Sequence, residues 1–377
     1  MVQAKRIEAL FCSLASITSP TYGEREMADR LTRELTDLGF TVTEDNAPER
    51  LGQGTAGNLH GFLPGLGEPL LFCSHMDTVG PCENKRVIRD PDGRIHTDGT
   101  TTLGADDLAG VAEILEAVRS LTEDGTAHRP IEVLFTIGEE YFLRGSTVLD
   151  PGTLRAREGY VLDVDGPIGT AVLRASSGFQ VIANVTGRSA HAGLAPETGV
   201  NAICIAARAI SEIPQGRLDE ETTANVGIIQ GGSSGNIVPD SCMVEFETRS
   251  LSHEKALAQV ERIRLAFQNA AQALGGTAEV EARQQLTAYH VPQDAPVVQR
   301  FAAACRSVGI SPVYTASCGG SDNTRLSQYG IQSIVIAPGM HEIHSTQEWT
   351  TLEELVTMTR VVAELMQAET TSDAQRA

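Results

Sequence analysis

Short, nearly continuous apolar runs alternate with stretches whose apolar residues recur three and four apart. Leu70 to Ser74, Ile131 to Ile137 and Tyr160 to Val164 read as strands buried on both faces. Leu108, Val111, Ala112, Leu115 and Val118 mark one face of a helix, and Ile7, Leu10, Phe11 and Leu14 one side of another near the N-terminus. Val87 to Thr97 reads as a hairpin turning at Asp92-Gly93. Up to about residue 176 this alternation predicts an α/β architecture, a mixed, largely parallel sheet flanked by helices.

From Gly178 the rhythm changes. Phe179 to Thr186, Ala224 to Ile229, Cys242 to Thr248 and Ala278 to Ala282 read as strands, with helices over Val200 to Ile213 and His253 to Leu274. That β-α-β-β-α-β order predicts a ferredoxin-like α+β module. The α/β pattern then resumes with a helix over Ala295 to Val308, a strand over Ile331 to Ala337 and a helix over Leu352 to Met366. The expected layout is a larger domain of residues 1–177 and 285–377 with residues 178–284 inserted in it; a chain of 377 residues is also longer than one core usually supports. The polar tail from Glu369 to Ala377 is expected to fray.

Composition mainly excludes. Acidic residues outnumber basic ones 49 to 29, a formal charge of −20, which argues against a nucleic-acid backbone or an anionic membrane as the main partner. No segment approaches the roughly 18 uninterrupted apolar residues of a membrane span, and Met1 to Ser16 lacks the pattern of a secretory leader. Seven scattered cysteines with no Cys-x-x-Cys pair fit a reducing cytoplasm.

The candidate chemistry lies where apolar strands end: Ser74-His75-Met76-Asp77, Gly104-Ala105-Asp106-Asp107, Gly138-Glu139-Glu140, Leu162-Asp163 and Ile343-His344. Buried charge is costly unless paired or bound to a metal. Carboxylates and imidazoles in this number suit a pair of divalent ions better than a single-residue scheme. His75 reads as a ligand with Asp77, two residues on, orienting its imidazole. One acid suffices to cap a helix, so the adjacent pair at Asp106 and Asp107 points to Asp106 as a ligand bridging two ions. Glu139 and Glu140 diverge as neighbours, one for metal and one for the attacking water. Asp163 is a ligand with Asp165 as its alternative, and His344 has His341 as its alternative.

These residues resemble the M20 metallopeptidase family, especially its peptidase T-like branch. The resemblance spans nearly the whole chain through Ser-His-Met-Asp-Thr-Val (74–79), Leu-Gly-Ala-Asp-Asp-Leu-Ala-Gly (103–110), Thr-Ile-Gly-Glu-Glu (136–140), Gly-Arg-Ser-Ala-His-Ala-Gly (187–193), Gly-Asn-Ile-Val-Pro-Asp (235–240) and Gly-Gly-Ser-Asp (319–322). It implies a catalytic domain interrupted by a lid and dimerisation domain, and a homodimer formed through that insert. It also implies two divalent ions, zinc foremost with cobalt or manganese as alternatives. His75 and Asp163 would hold one ion and Glu140 and His344 the other, with Asp106 between them. In the same reading Asp77 orients His75, Glu139 is the general base, and His191 and Asn236 steady the substrate carbonyl or backbone. Arg249 matches a lid arginine that binds a substrate carboxylate. Relatives usually carry Lys where this chain has Leu108, a helix-side position that need not touch metal.

The implied activity is hydrolysis of short peptides, tripeptides foremost, by an aminopeptidase using a water held between two metals. An N-acyl amino acid amidohydrolase or metallocarboxypeptidase on the same scaffold is the alternative. A non-catalytic binding protein stands further off, because every expected ligand position is occupied. Gly52, Gly54 and Gly57 match a dinucleotide-binding fingerprint but run into Asn58, Leu59 and His60 with no preceding strand, so they read as a loop.

Overall fold

In the computed structural model, which describes residues 1–368, the chain forms two compact units. The larger comprises Met1–Leu173, His290–Thr315 and the segment from Gly320 onward; the smaller comprises Arg174–Tyr289 and Ala316–Gly319. The smaller unit is thus wider than residues 178–284, and a four-residue return near Cys318 joins it, which no break in the hydrophobic pattern signals. The expectation of a frayed tail from Glu369 lies outside the described residues.

Among the described residues, the sheet of the larger unit has nine strands. Their order is Thr41–Glu44, Leu59–Leu63, Ile131–Thr136, Leu70–His75, Glu158–Val161, Gln332–Ile336, Thr170–Ala175 and Tyr289–His290, with Val313–Ser317 also pairing Thr170–Ala175. The four central strands, from Ile131–Thr136 to Gln332–Ile336, are mutually parallel. Leu70 pairs with both Ile131 and Glu158, and Glu158 with Gln332, so these strands start level and end on one edge. Strands Ile131–Thr136 and Leu70–His75 are buried at every position, which is why they lack alternation. Antiparallel strands flank them: Leu59–Leu63 on one side, Thr170–Ala175 on the other.

The long helix Ala105–Asp124 packs on the Leu70–His75 strand and on the final helix Leu352–Met366. Its approach to the strand is close. A Cβ on Gly110 would lie 2.4 Å from Ser74 Oγ and 2.8 Å from Asp107 Oδ1, so only glycine fits there. Leu108, on the same helix, is fully buried. The hairpin pairs Ile88–Arg89 with Arg94–His96, and Trp349–Thr351 adds a third strand to it. Gly52, Gly54 and Gly57 lie in loop between the helix Ala47–Leu51 and the strand Leu59–Leu63.

In the smaller unit the antiparallel strands run in the order Thr222–Gly231, Ser241–Ser250, Ser177–Thr186, Thr277–Leu286. Helices Ala202–Glu212 and His253–Leu274 cover one face around Val181, Val244, Phe246, Ile205, Ile263 and Phe267. This is the ferredoxin-like order, extended at one edge by the two-residue strand Gly216–Arg217. Asn201 caps the first helix by accepting from the Cys204 amide, so that helix starts at Ala202 rather than Val200. Among the described residues no helix is long and apolar enough to cross a membrane. All seven cysteines are unbridged.

Candidate metal centre

Open parallel sheets place functional groups beyond the carboxyl ends of their strands. That edge receives His75 at the end of Leu70–His75, the Gly138-Glu139-Glu140 turn after Ile131–Thr136, Asp163 after Glu158–Val161, and His344 in the loop after Gln332–Ile336. Asp106 enters from the start of the long helix, where its own backbone (φ −81°, ψ 99°) is still non-helical. Neither Asp106 nor Asp107 caps that helix with its side chain.

The donors fall into two groups that share one residue. His75, Asp106 and Asp163 form one and Asp106, Glu140 and His344 the other, with the ligand atoms of each group within 4.8 Å of one another. Asp106 Oδ1 lies 3.1 Å from His75 Nε2, while its Oδ2 lies 3.1 Å from His344 Nε2. Asp163 Oδ1 stands 4.0 Å from His75 Nε2, and Glu140 Oε2 3.0 Å from His344 Nε2. Asp165 and His341 belong to neither group. His341 instead contacts Glu354 at 2.7 Å and stacks on Trp349 with ring centroids 4.0 Å apart.

The electrostatics of the centre are those of crowded, buried carboxylates. Burial pushes Asp163 well above its ordinary range, helped by Glu139 and Asp106. Burial also raises Glu139 well above its range, with Asp322, Glu140 and Asp77 adding to it against the opposing His75. Burial works against a charged His75, but the hydrogen bond to Asp106 and the charge of Glu139 outweigh it and raise the imidazole well above its usual value. His344 is pushed up to about 10 by its hydrogen bonds to Asp106 and Glu140. Glu140 Oε1 is buried with no hydrogen-bond partner among the described residues. An orphaned carboxylate oxygen, two imidazoles and a carboxylate facing both groups form a donor set that fits two divalent cations.

Asp77 stays beside the His75 imidazole, by a route other than a shared strand face. The strand ends at His75, so the shared-face argument does not extend to Asp77. His75 Nδ1 lies 2.9 Å from the backbone oxygen of Asp77 and 3.6 Å from its carboxylate. The Asp77 carboxylate accepts instead from the amides of Glu139 (3.0 Å) and Glu140 (3.3 Å) and from Thr21 Oγ1 (2.7 Å). Asp77 therefore holds the imidazole through its main chain and the Glu139-Glu140 turn through its side chain.

Several residues that complete the centre escape sequence reasoning. Glu348 accepts from the amides of Leu103 (2.8 Å), Gly104 (2.7 Å) and Asp106 (2.9 Å), pinning the backbone that presents Asp106. Glu24 accepts from the Tyr22 and Gly138 amides, and burial pushes its carboxyl up to about 7. Asp107 Oδ2 accepts from Ser74 Oγ and the His75 amide, and Asp322 Oδ2 from Thr136 Oγ1. Each is a single acid with no motif around it beyond the Asp-Asp pair and Gly-Gly-Ser-Asp. A structural signal does mark the region: among the described residues, six non-glycine residues have positive φ, and Tyr22, Phe142, Leu143, Glu342 and His344 lie in segments bordering the centre. Such backbone is costly and clusters where function requires it.

The remaining expected residues lie in the smaller unit. His191 and Asn236 are neighbours there: the Ala192 amide donates to the Asn236 carbonyl at 3.0 Å, and His191 bridges Ile237. Ser234 Oγ donates to Asn236 Oδ1 at 2.6 Å. Arg249 is held by Glu247 at 2.5 Å and by the Cys318 carbonyl at 2.7 Å.

Comparison with known proteins agrees with this architecture. Residues 58–171 match peptidase family M28, and residues 173–274 match the peptidase dimerisation domain of M20 type. The aminopeptidase PepT from Bacillus cereus is similar at 40% identity and TM-score 0.92, covering 97% of this chain and 98% of that one. A tripeptidase from Staphylococcus aureus gives 36% identity and TM-score 0.93 with the same coverage. The uncharacterised protein YqjE of Bacillus subtilis is 40% identical over 97% of this chain and 99% of its own length. Fold and site together define a peptidase whose α/β catalytic unit carries an inserted dimerisation domain. The chain belongs to the M20 family of metallopeptidases, in its peptidase T-like branch.

Proposed function

We propose that this protein is an aminopeptidase of short peptides, tripeptides foremost, working with two divalent ions. The observation that carries the reading is Asp106, which turns one carboxylate oxygen to each of two donor groups. Similarity to a PepT aminopeptidase and a tripeptidase supports the substrate class. His75 and Asp163 would hold one ion and Glu140 and His344 the other, with Asp106 serving both. Zinc suits these donors, as do cobalt and manganese. When bound, such ions polarise the scissile carbonyl and acidify the attacking water.

The chain's own groups do the rest. Glu139 is the base: buried and surrounded by carboxylates, its carboxyl binds a proton readily and can pass it to the leaving amine. Asp77, through two amides, fixes where that carboxyl stands. His191 and Asn236 are assigned to the substrate carbonyl and backbone, and Arg249 to a substrate carboxylate. Those three roles rest on the family motifs. A homodimer through the inserted domain and a reducing compartment complete the reading.

The test is hydrolysis of one tripeptide, its N-acetyl form and its C-terminal amide by metal-loaded protein. Cleavage of only the two free-amine peptides, releasing the first residue, is expected. Preference for the acetylated peptide would overturn the reading in favour of an amidohydrolase or carboxypeptidase.

A further inference from the structure

The parallel strands that end at the metal centre begin at a cavity of about 500 Å³, lined in part by Leu70 and Glu158 at the strand starts. Among the described residues four arginines line it, Arg129, Arg155, Arg157 and Arg300, and two carboxylates, Glu68 and Glu158. In a chain of formal charge −20 with only 29 basic residues, that is a local reversal of sign. We propose that this cavity is a second binding site, for a small organic anion with an oxyanion head, separate from the peptidase chemistry.

Three of the four arginines are held in place before any ligand arrives, and Arg157 is exposed. Arg300 Nη1 pairs with Glu158 Oε2 at 2.6 Å, the Arg155 guanidinium lies 4.0 Å over the Phe62 ring, and Arg129 is only 6% exposed. Side chains fixed by stacking and pairing lose little freedom on binding. The Arg155 amide donates to Glu132, but the Arg155 and Arg157 guanidinium groups have no carboxylate partner among the described residues, leaving two planar forks to meet an oxyanion. Leu66, Pro69 and Leu70 supply an apolar wall. The volume lies within the ~300–1,000 Å³ of small-molecule sites and exceeds what a bare inorganic anion fills, so the ligand has an organic body. A six-residue strand spans about 20 Å, which separates this site from the catalytic edge.

The probes are phenyl phosphate, benzoate and benzyl alcohol, which share a ring and differ in charge, titrated calorimetrically into the holoenzyme at low salt. Phenyl phosphate is expected to bind most tightly, benzoate more weakly, and the alcohol not measurably. Arg157→Glu, at an exposed position, is expected to weaken the phosphate by at least about tenfold, as removal of one charge-assisted contact does. Arg155→Glu gives the same test from the Phe62 side, with thermal unfolding checking its fold. Either head group binding in an arginine-dependent way supports the site, and the tighter one names the head. Identical isotherms for wild type and both variants would place any anion binding elsewhere and overturn the proposal, as would benzyl alcohol binding as tightly as phenyl phosphate.

Discussion

The two edges of the parallel strands are built from the same strands and carry opposite chemistry. At the carboxyl edge, side chains from five separate segments converge, and the acids behind them are pinned by backbone amides: Asp77 by those of Glu139 and Glu140, Glu348 by those of Leu103, Gly104 and Asp106. At the amino edge, arginines line an open cavity, Arg155 held by stacking and Arg300 by pairing. The difference lies in who supplies the donors. Turns after the strands offer free N–H groups that fix the supporting acids in one geometry, as a preorganised divalent-metal site requires. At the amino edge the side chains themselves are the donors, as anion recognition requires.

That contrast can be broken at its strongest point first. Glu139→Gln keeps size and the amide contact to Asp77 while removing the base, so kcat should fall about 10²–10⁴-fold with both metals retained, measured by tripeptide hydrolysis and metal analysis. Wild-type turnover would remove Glu139 from that role. Asp77→Ala frees the Glu139-Glu140 turn and should lower kcat about 10–100-fold, comparable to losing the outer partner of a metal ligand. An unchanged rate would mean the turn holds its own shape. His191→Ala should lower kcat with fold intact, and a full rate would unseat it from the substrate carbonyl. Glu348→Gln leaves three buried amides sharing one weaker acceptor; a loss of about 1–3 kcal/mol is expected, read as a lower Tm.

The smallest effect concerns a buried acid away from the centre. Burial pushes Glu132 up, but hydrogen bonds from His60 and from the Arg155 and Ala156 amides outweigh it and hold it below the ordinary 4.5. A carboxyl lowered by folding stabilises above its unfolded value and loses that contribution as pH falls through its folded one. Glu132→Gln should therefore cost about 1–2 kcal/mol at neutral pH, with the gap to wild type closing as pH drops below 4.5. A gap that stays constant down to acid pH would rule out the charge as its source.

The central strands and the helix faces were legible because burial on both sides imposes continuous apolar runs at Leu70 to Ser74 and Ile131 to Ile137. The flanking strands were not. Thr41–Glu44 is largely exposed and Leu59–Leu63 carries His60 and Gly61, so neither shows a clear period. In the centre, residues within motifs could be read from the chain, whereas Glu24 and Glu348 reach it only through long-range amide contacts. Asp77 shows the limit most sharply: its place beside His75 is visible in the sequence, but the target of its carboxylate, 62 residues away, is not.

Asp106 turns one carboxylate oxygen to each donor group and is the proposed ligand shared by two ions. Metal analysis of wild type and Asp106→Asn, each loaded with zinc and dialysed, tests it most directly. Two ions per chain in the wild type and no more than one in the variant, with turnover lost, is the expected result. Two ions retained at wild-type affinity and full activity in Asp106→Asn would contradict it.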